Sequence, residues 1–231
     1  MKLVGFGCSF TYGSELIDPA LEGEDGHHYD NIPYREKHCW LGQLAEMLGC
    51  SFDNRASPAG SNFFIQEEFG DWFDLHSPDD DDIVCIGWSS HLRNSWWNDE
   101  EFRWMHDGFI RSNDEKHFHG SFKEWLALSY GRCAQTTNHA RLFVNSVCQA
   151  NNIKIIQFNA LSNIPALNSP ANYHQGDQNM QDVLRNEGYR LNKDFLAPGG
   201  HPNELGHAHY AEMLRSWIEA KNSCKQKHLA I

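Results

Sequence analysis

Two residues far apart in this chain are of types that could act on each other. Ser9 lies in the stretch VGFGCSFTYG, residues 4–13, and His201 in APGGHPNELGHAHY, residues 197–210. A serine hydroxyl is a poor nucleophile until a base removes its proton, and an imidazole, with an ordinary pKa of about 6.5, suits that task near neutrality. Fourteen histidines make a chance match easy. His201 stands apart because Gly199 and Gly200 give its turn backbone freedom and Pro202 favours a fixed entry into the helix that follows. The neighbouring Cys8 offers a thiol as a second candidate nucleophile, although an apolar strand end favours packing for it. The same glycine-bearing turn does not read as a phosphate cradle: GxGxxG would need glycine where Phe10 stands, and no GK[ST] occurs. His207 and His209 invite a metal reading with His201, but an i,i+2 pair does not share a helix face and HExxH is missing. Neither a metal nor a cofactor is expected. The aspartates at 79–82 read as a solvated turn.

These side chains need elements to hold them. KLVGFG, residues 2–7, reads as a buried first strand that would set Ser9 at its carboxyl end, the edge where open α/β sheets bind ligands. The polar residues 17–38 that follow read as loop. Leu41, Leu44, Ala45 and Leu48 recur at helical spacing, and 50–56 reads as a second strand ending near Asn54. Ser61 and Asn62 offer caps for a helix carrying Ile65, Phe69, Trp72 and Phe73. IVCIGWS, 83–89, is apolar on both faces, as a central parallel strand must be, and IKIIQFNA, 153–160, repeats the pattern. A long helical region spans about 122–151, and a last helix turns Tyr210, Met213, Leu214, Trp217 and Ile218 inward. The fold class predicted is α/β, a three-layer α/β/α sandwich around a parallel sheet. Residues 1–220 form one domain on this reading, with an aromatic-rich insertion or lid at 94–119 and a frayed tail at 221–231.

Composition excludes several functional classes. A formal net charge of −12, from 19 basic and 31 acidic residues, argues against a nucleic-acid partner. No apolar run is long enough to span a membrane, and the start of the sequence does not read as a signal peptide. Seven cysteines without a CxxC pair point to a reducing compartment, so a cytoplasmic location is expected.

Taken in order, four short blocks resemble those of the SGNH, or GDSL-type, hydrolases. GCS at 7–9 is similar to the Gly-Asp-Ser block, with Cys8 in place of aspartate. NRASPAGSN supplies Asn54 and Gly60 for the second block. GWSS at 87–90 resembles Gly-x-Asn-Asp, with Ser89 standing where the family has asparagine. PGGHPN matches the closing Asp-x-x-His-Pro block through His201, with Pro198 where the aspartate belongs. The blocks span residues 7–203, nearly the whole chain, and the resemblance implies a divergent member with the flavodoxin-like fold of that family.

What the resemblance implies about the site follows residue by residue. Ser9 would be the nucleophile and His201 the base, and the oxyanion would be met by Ser9, Gly60 and Ser89. Loss of the orienting carboxylate leaves a Ser–His dyad, held by a backbone carbonyl or water near Pro198 or by Asp194 if the loop folds back. Asn62 and Trp88 are the possible substrate contacts. The implied activity is hydrolysis of a carboxylic ester, a small molecule or an O-acetylated carbohydrate, by a serine esterase or acylhydrolase. The rival is a non-catalytic protein of the same fold that binds a glycan or serves in assembly.

Overall fold

The computed structural model describes residues 1–21, 28–76, 78–79, 81–91, 93–98, 103–107, 120–161 and 178–228. Strands β1 (Lys2–Gly7), β2 (Ser51–Asn54), β3 (Ile83–Trp88) and β6 (Lys154–Asn159) form a parallel sheet in the order β2-β1-β3-β6. Two further strands, β4 (Asn94–Asn98) and β5 (Arg103–Asp107), pair antiparallel in a separate two-stranded sheet. The rest of the expected 94–119 insertion lies outside the described residues.

Successive side chains on a strand point to opposite faces, and here the alternation divides the core in two. Leu3, Ile83, Cys85, Ile156 and Phe158 face a layer that includes α3 (Trp40–Leu48), α6 (Met180–Leu191) and α7 (Glu204–His228). Val4, Phe6, Val84, Ile86 and Trp88 face the opposite layer, α4 (Asn62–Leu75) and α5 (Gly120–Ala150). Helices on both faces of a parallel sheet make the three-layer α/β/α arrangement. Full burial of side chains such as Phe6, Leu41 and Ile65 contributes about 1.5–3 kcal/mol each.

Local chemistry sets the element ends. Ser61 caps α4 by accepting the Phe64 N–H at 3.2 Å. Asn179 does the same for α6 through the Asp182 N–H at 2.8 Å. Asn203 precedes α7 and accepts from the Gly206 N–H at 2.9 Å.

Several sequence expectations need correction. Residues 17–38 are not all loop: 19–21 and 29–31 form 3-10 turns and Ile32–His38 is a helix, α2, with Pro33 in its first turn, where its missing N–H costs nothing. The helix α6 lies in a stretch to which the sequence analysis assigned no element. The tail expected from 221 is helical to His228, within α7. No helix among the described residues is long and apolar enough to cross a membrane.

Candidate active site

The sheet order reverses direction between β1 and β3, so the crevice beyond their carboxyl ends is the switch point where doubly wound sheets take ligands. Gly7 and Gly87 are register partners there. A Cβ on Gly7 would fall 2.3 Å from Thr11 Oγ1, and one on Gly87 would fall 2.7 Å from it. Neither contact is tolerable, so the two glycines let Thr11 tuck against the strand ends and turn the chain sharply. That turn is α1 (Ser9–Tyr12), a single helical turn closed by Gly13 at φ 86°. Ser9 is its first residue, and its N–H has no intrahelical acceptor.

The second half of the site comes from the loop between α6 and α7. It is stitched by Ala197 N–H to the His201 carbonyl and Gly200 N–H to the Ala197 carbonyl, both 2.8 Å, and by Gln181 Nε2 to the Gly200 carbonyl at 2.9 Å. The His201 ring packs against Phe10, with centroids 5.2 Å apart. Its Nε2 lies 2.9 Å from Ser9 Oγ.

The other ring nitrogen has a partner that the sequence reading did not single out. Glu15 Oε2 is 2.8 Å from His201 Nδ1 and also accepts the His201 backbone N–H at 3.2 Å. Glu15 Oε1 accepts the Gly199 N–H at 2.9 Å. With Nδ1–H donating to Glu15, a neutral ring turns the Nε2 lone pair toward the Ser9 hydroxyl, which donates. A carboxylate therefore does meet His201 Nδ1, from the turn after α1 instead of the position of Pro198. Asp194 does not take that part. Its carboxylate accepts the Leu196 N–H at 3.3 Å, the bond of a tight turn two residues long.

Other site candidates are placed differently from expectation. Trp88 faces the core between β3 and α5 with 0% exposure; its Nε1 donates to Gln157 Oε1 at 2.7 Å and its ring lies near the Arg141 guanidinium. It cannot meet a substrate without leaving the core. Asn62 is buried as a brace: its Oδ1 accepts the Ser89 N–H at 2.7 Å, while Nδ2 donates to the Ser89 carbonyl at 3.1 Å and to Thr137 Oγ1 at 2.9 Å. Those bonds engage both N–H groups of its amide and its Oδ1. Ser89 is itself fully buried, with its Oγ accepting from Arg93 Nη1 at 3.3 Å. Gly60 gives its N–H to the Ser57 carbonyl at 3.1 Å, closing a turn that rests on the Gly7 carbonyl through the Ser57 N–H at 3.2 Å. Cys8 is buried in the core.

The two other histidines of the metal reading, His207 and His209, have neighbours of their own. His207 is buried and accepts the Trp40 N–H at Nδ1, 3.1 Å. His209 stacks on Phe195 and its Nε2 lies 3.6 Å from Glu187.

No protein-family model matches this chain, and no curated protein matches its sequence. Solved structures do. One is a carbohydrate esterase whose active site displays divergent catalytic and non-catalytic binding functions, similar over 95% of this chain and 64% of its own length, with 12% identity and a TM-score of 0.51. Another is an acetyl xylan esterase from the rumen bacterium Butyrivibrio proteoclasticus, at 10% identity and a TM-score of 0.49 over 96% of this chain and 64% of that one. A member of the lipolytic G-D-S-L family from Veillonella parvula covers 92% of this chain and 95% of its own, at 14% identity and a TM-score of 0.41. At such identities the likeness is one of fold.

Proposed function

We propose that this protein is a serine ester hydrolase working through Ser9, His201 and Glu15. The supporting observation is the continuous relay from Ser9 Oγ to His201 Nε2 at 2.9 Å and from Nδ1 to Glu15 at 2.8 Å. Ser9 Oγ attacks the ester carbonyl carbon as His201 Nε2 takes its proton, and Glu15 stabilises the imidazolium that forms. The tetrahedral intermediate carries its negative charge on the former carbonyl oxygen. On collapse, Nε2 returns the proton to the leaving alcohol, leaving an acyl-Ser9 ester. Water, deprotonated by the same nitrogen, then releases the acid.

Oxyanion stabilisation is the uneven part of this site. The Ser9 N–H is suited to it. Gly60 would first have to turn its N–H from the Ser57 carbonyl, and Ser89 offers a hydroxyl where the family it resembles has an amide. One such donor contributes about 3–4 kcal/mol, so activated esters should turn over and unactivated ones slowly. The preferred substrate is an O-acetylated carbohydrate, and the domain doing this work is residues 1–220. The same uneven oxyanion site favours a second reading, a protein of this fold that binds a glycan without turning it over.

Hydrolysis of 4-nitrophenyl acetate by the purified protein separates the two. Ser9→Ala and His201→Ala should each lower kcat/KM by about 10³-fold or more, while Cys8→Ala retains turnover. Equal rates for the parent and Ser9→Ala would remove the proposed mechanism.

A further inference from the structure

Glu15, which meets the His201 ring, sits where the chain bends twice through left-handed backbone, at Gly13 (φ 86°) and at Glu15 itself (φ 67°). A side-chain-bearing residue keeps such a conformation only while its surroundings enforce it. On the upstream side the turn is tied to Ser9: the Ser14 N–H donates to the Ser9 carbonyl at 3.0 Å, and the Leu16 N–H to the Gly13 carbonyl at 3.2 Å. On the downstream side the tie comes from Asn31, whose side chain is fully buried. Its Nδ2 donates to the Leu16 carbonyl at 2.8 Å, and its Oδ1 accepts the Asp18 N–H at 2.9 Å. One amide thus brackets the chain as it leaves Glu15. An asparagine just before a helix ordinarily turns its side chain to that helix's first N–H groups. Asn31 directly precedes α2 and makes no such cap. The helix it introduces packs on the same turn: the Arg35 guanidinium lies over the Tyr12 ring at 3.8 Å, and a Cβ on Gly13 would stand 3.0 Å from Arg35 Cγ.

We propose that Asn31 is a positioning residue for the relay, holding the Glu15 turn so that its carboxylate stays within hydrogen-bond reach of His201 Nδ1. The inference rests on the hydrolase reading above and deepens it. Without the two bonds to residues 16 and 18, Glu15 is free to relax toward right-handed or extended backbone, which residues with side chains prefer. That relaxation carries the carboxylate away from the Gly199 N–H, the His201 N–H and the imidazole together, since all three meet it in one conformation. Asn31 therefore acts on turnover through Glu15, and a test can isolate that route.

The test is a double-mutant cycle with 4-nitrophenyl acetate. Asn31→Ala removes both bonds; Asn31→Asp keeps the size and an acceptor for the Asp18 N–H but sets an oxygen against the Leu16 carbonyl. Each should lower kcat by about 10²-fold with little change in KM, as a misplacement of about 1 Å does. In a Glu15→Gln background the same substitutions should lower kcat by less than about threefold, because the carboxylate they misplace is already gone. An asparagine that only supports the fold would give the same factor in both backgrounds. Equal factors overturn the proposal, and so does a parental kcat in both single variants. Should Asn31→Ala fold poorly by circular dichroism, Asn31→Asp carries the cycle. Crystal structures of the parent and Asn31→Asp read the same point without catalysis: the separation of Glu15 Oε2 from His201 Nδ1 should grow from 2.8 Å to beyond about 3.5 Å, outside hydrogen-bond reach. A lengthened separation supports the positioning role even if no ester is hydrolysed. An unchanged separation overturns it while leaving the hydrolase reading intact.

Discussion

Glu15 occupies backbone space that residues with side chains seldom enter, at φ 67°, in the place where its carboxylate meets three N–H groups. Left-handed backbone at such a residue costs on the order of 1–3 kcal/mol, and a conformation of that kind is held only when its surroundings over-determine it. Here the surroundings are Gly199, His201 and the short turn that carries Ser9. Replacing Glu15 by Gln keeps the size but not the charge, and the amide nitrogen can face Nδ1 and favour the wrong tautomer. We expect kcat for an aryl ester to fall by about 10²–10⁴-fold with little change in KM and a near-parental melting temperature. Asp194→Ala should leave kcat close to the parent because Asp194 bonds Leu196, not the imidazole. Steady-state kinetics on both variants decides which acid orients His201; equal losses, or a loss confined to Asp194→Ala, would assign the role away from Glu15.

The loop between α6 and α7 has to approach the turn after α1 closely, and Gly199 is where it does so. A Cβ there would stand 2.3 Å from Glu15 Oε1. Gly199→Ala should push the carboxylate from both the Gly199 N–H and the imidazole, lowering kcat by about 10²-fold while the sheet and both helical layers remain. Circular dichroism alongside kinetics checks that the loss is local. This closeness also explains what could be read from the chain and what could not. Strands β1, β3 and β6 were legible because runs that are apolar on both faces suit buried parallel strands. Ser9 and His201 were legible because each stands in a local pattern. Glu15 was not: it lies 186 residues from His201, and nothing in the turn it occupies signals the partner it meets. Trp88 was misread despite a usable signal, for it follows Val84 and Ile86 at a period of two and so shares their inward face. The helix α6 also had its signal, an Asn179 cap followed by Met180, Val183 and Leu184 at helical spacing, inside a stretch otherwise rich in turn residues.

Across the whole molecule, His207 links proton concentration to stability. It is fully buried between α7 and α3, where burial and then the nearby positive charge of His201 push its pKa down to about 3. Unfolded, the same ring titrates near 6.5. The unfolded chain therefore takes up a proton that the folded protein refuses. The stabilisation this refusal leaves intact above pH 6.5 is lost as pH falls from there toward about 3. The slope is about 1.4 kcal/mol per pH unit once below the unfolded pKa. Urea unfolding at pH 7.5 and 4.5 should show a fall that is shallower in His207→Gln, and equal pH dependence in the two proteins would assign the acid sensitivity elsewhere. The relay itself has a different consequence, one of timing. Ser9 and Glu15 stand six positions apart in the chain, whereas His201 is read 192 positions after Ser9. A ribosome building this chain exposes a serine and a carboxylate that can do nothing together. The relay would close only after His201 has been added and its loop has left the exit tunnel, so under the proposed function a fragment ending before it carries the hydroxyl and the carboxylate without their base.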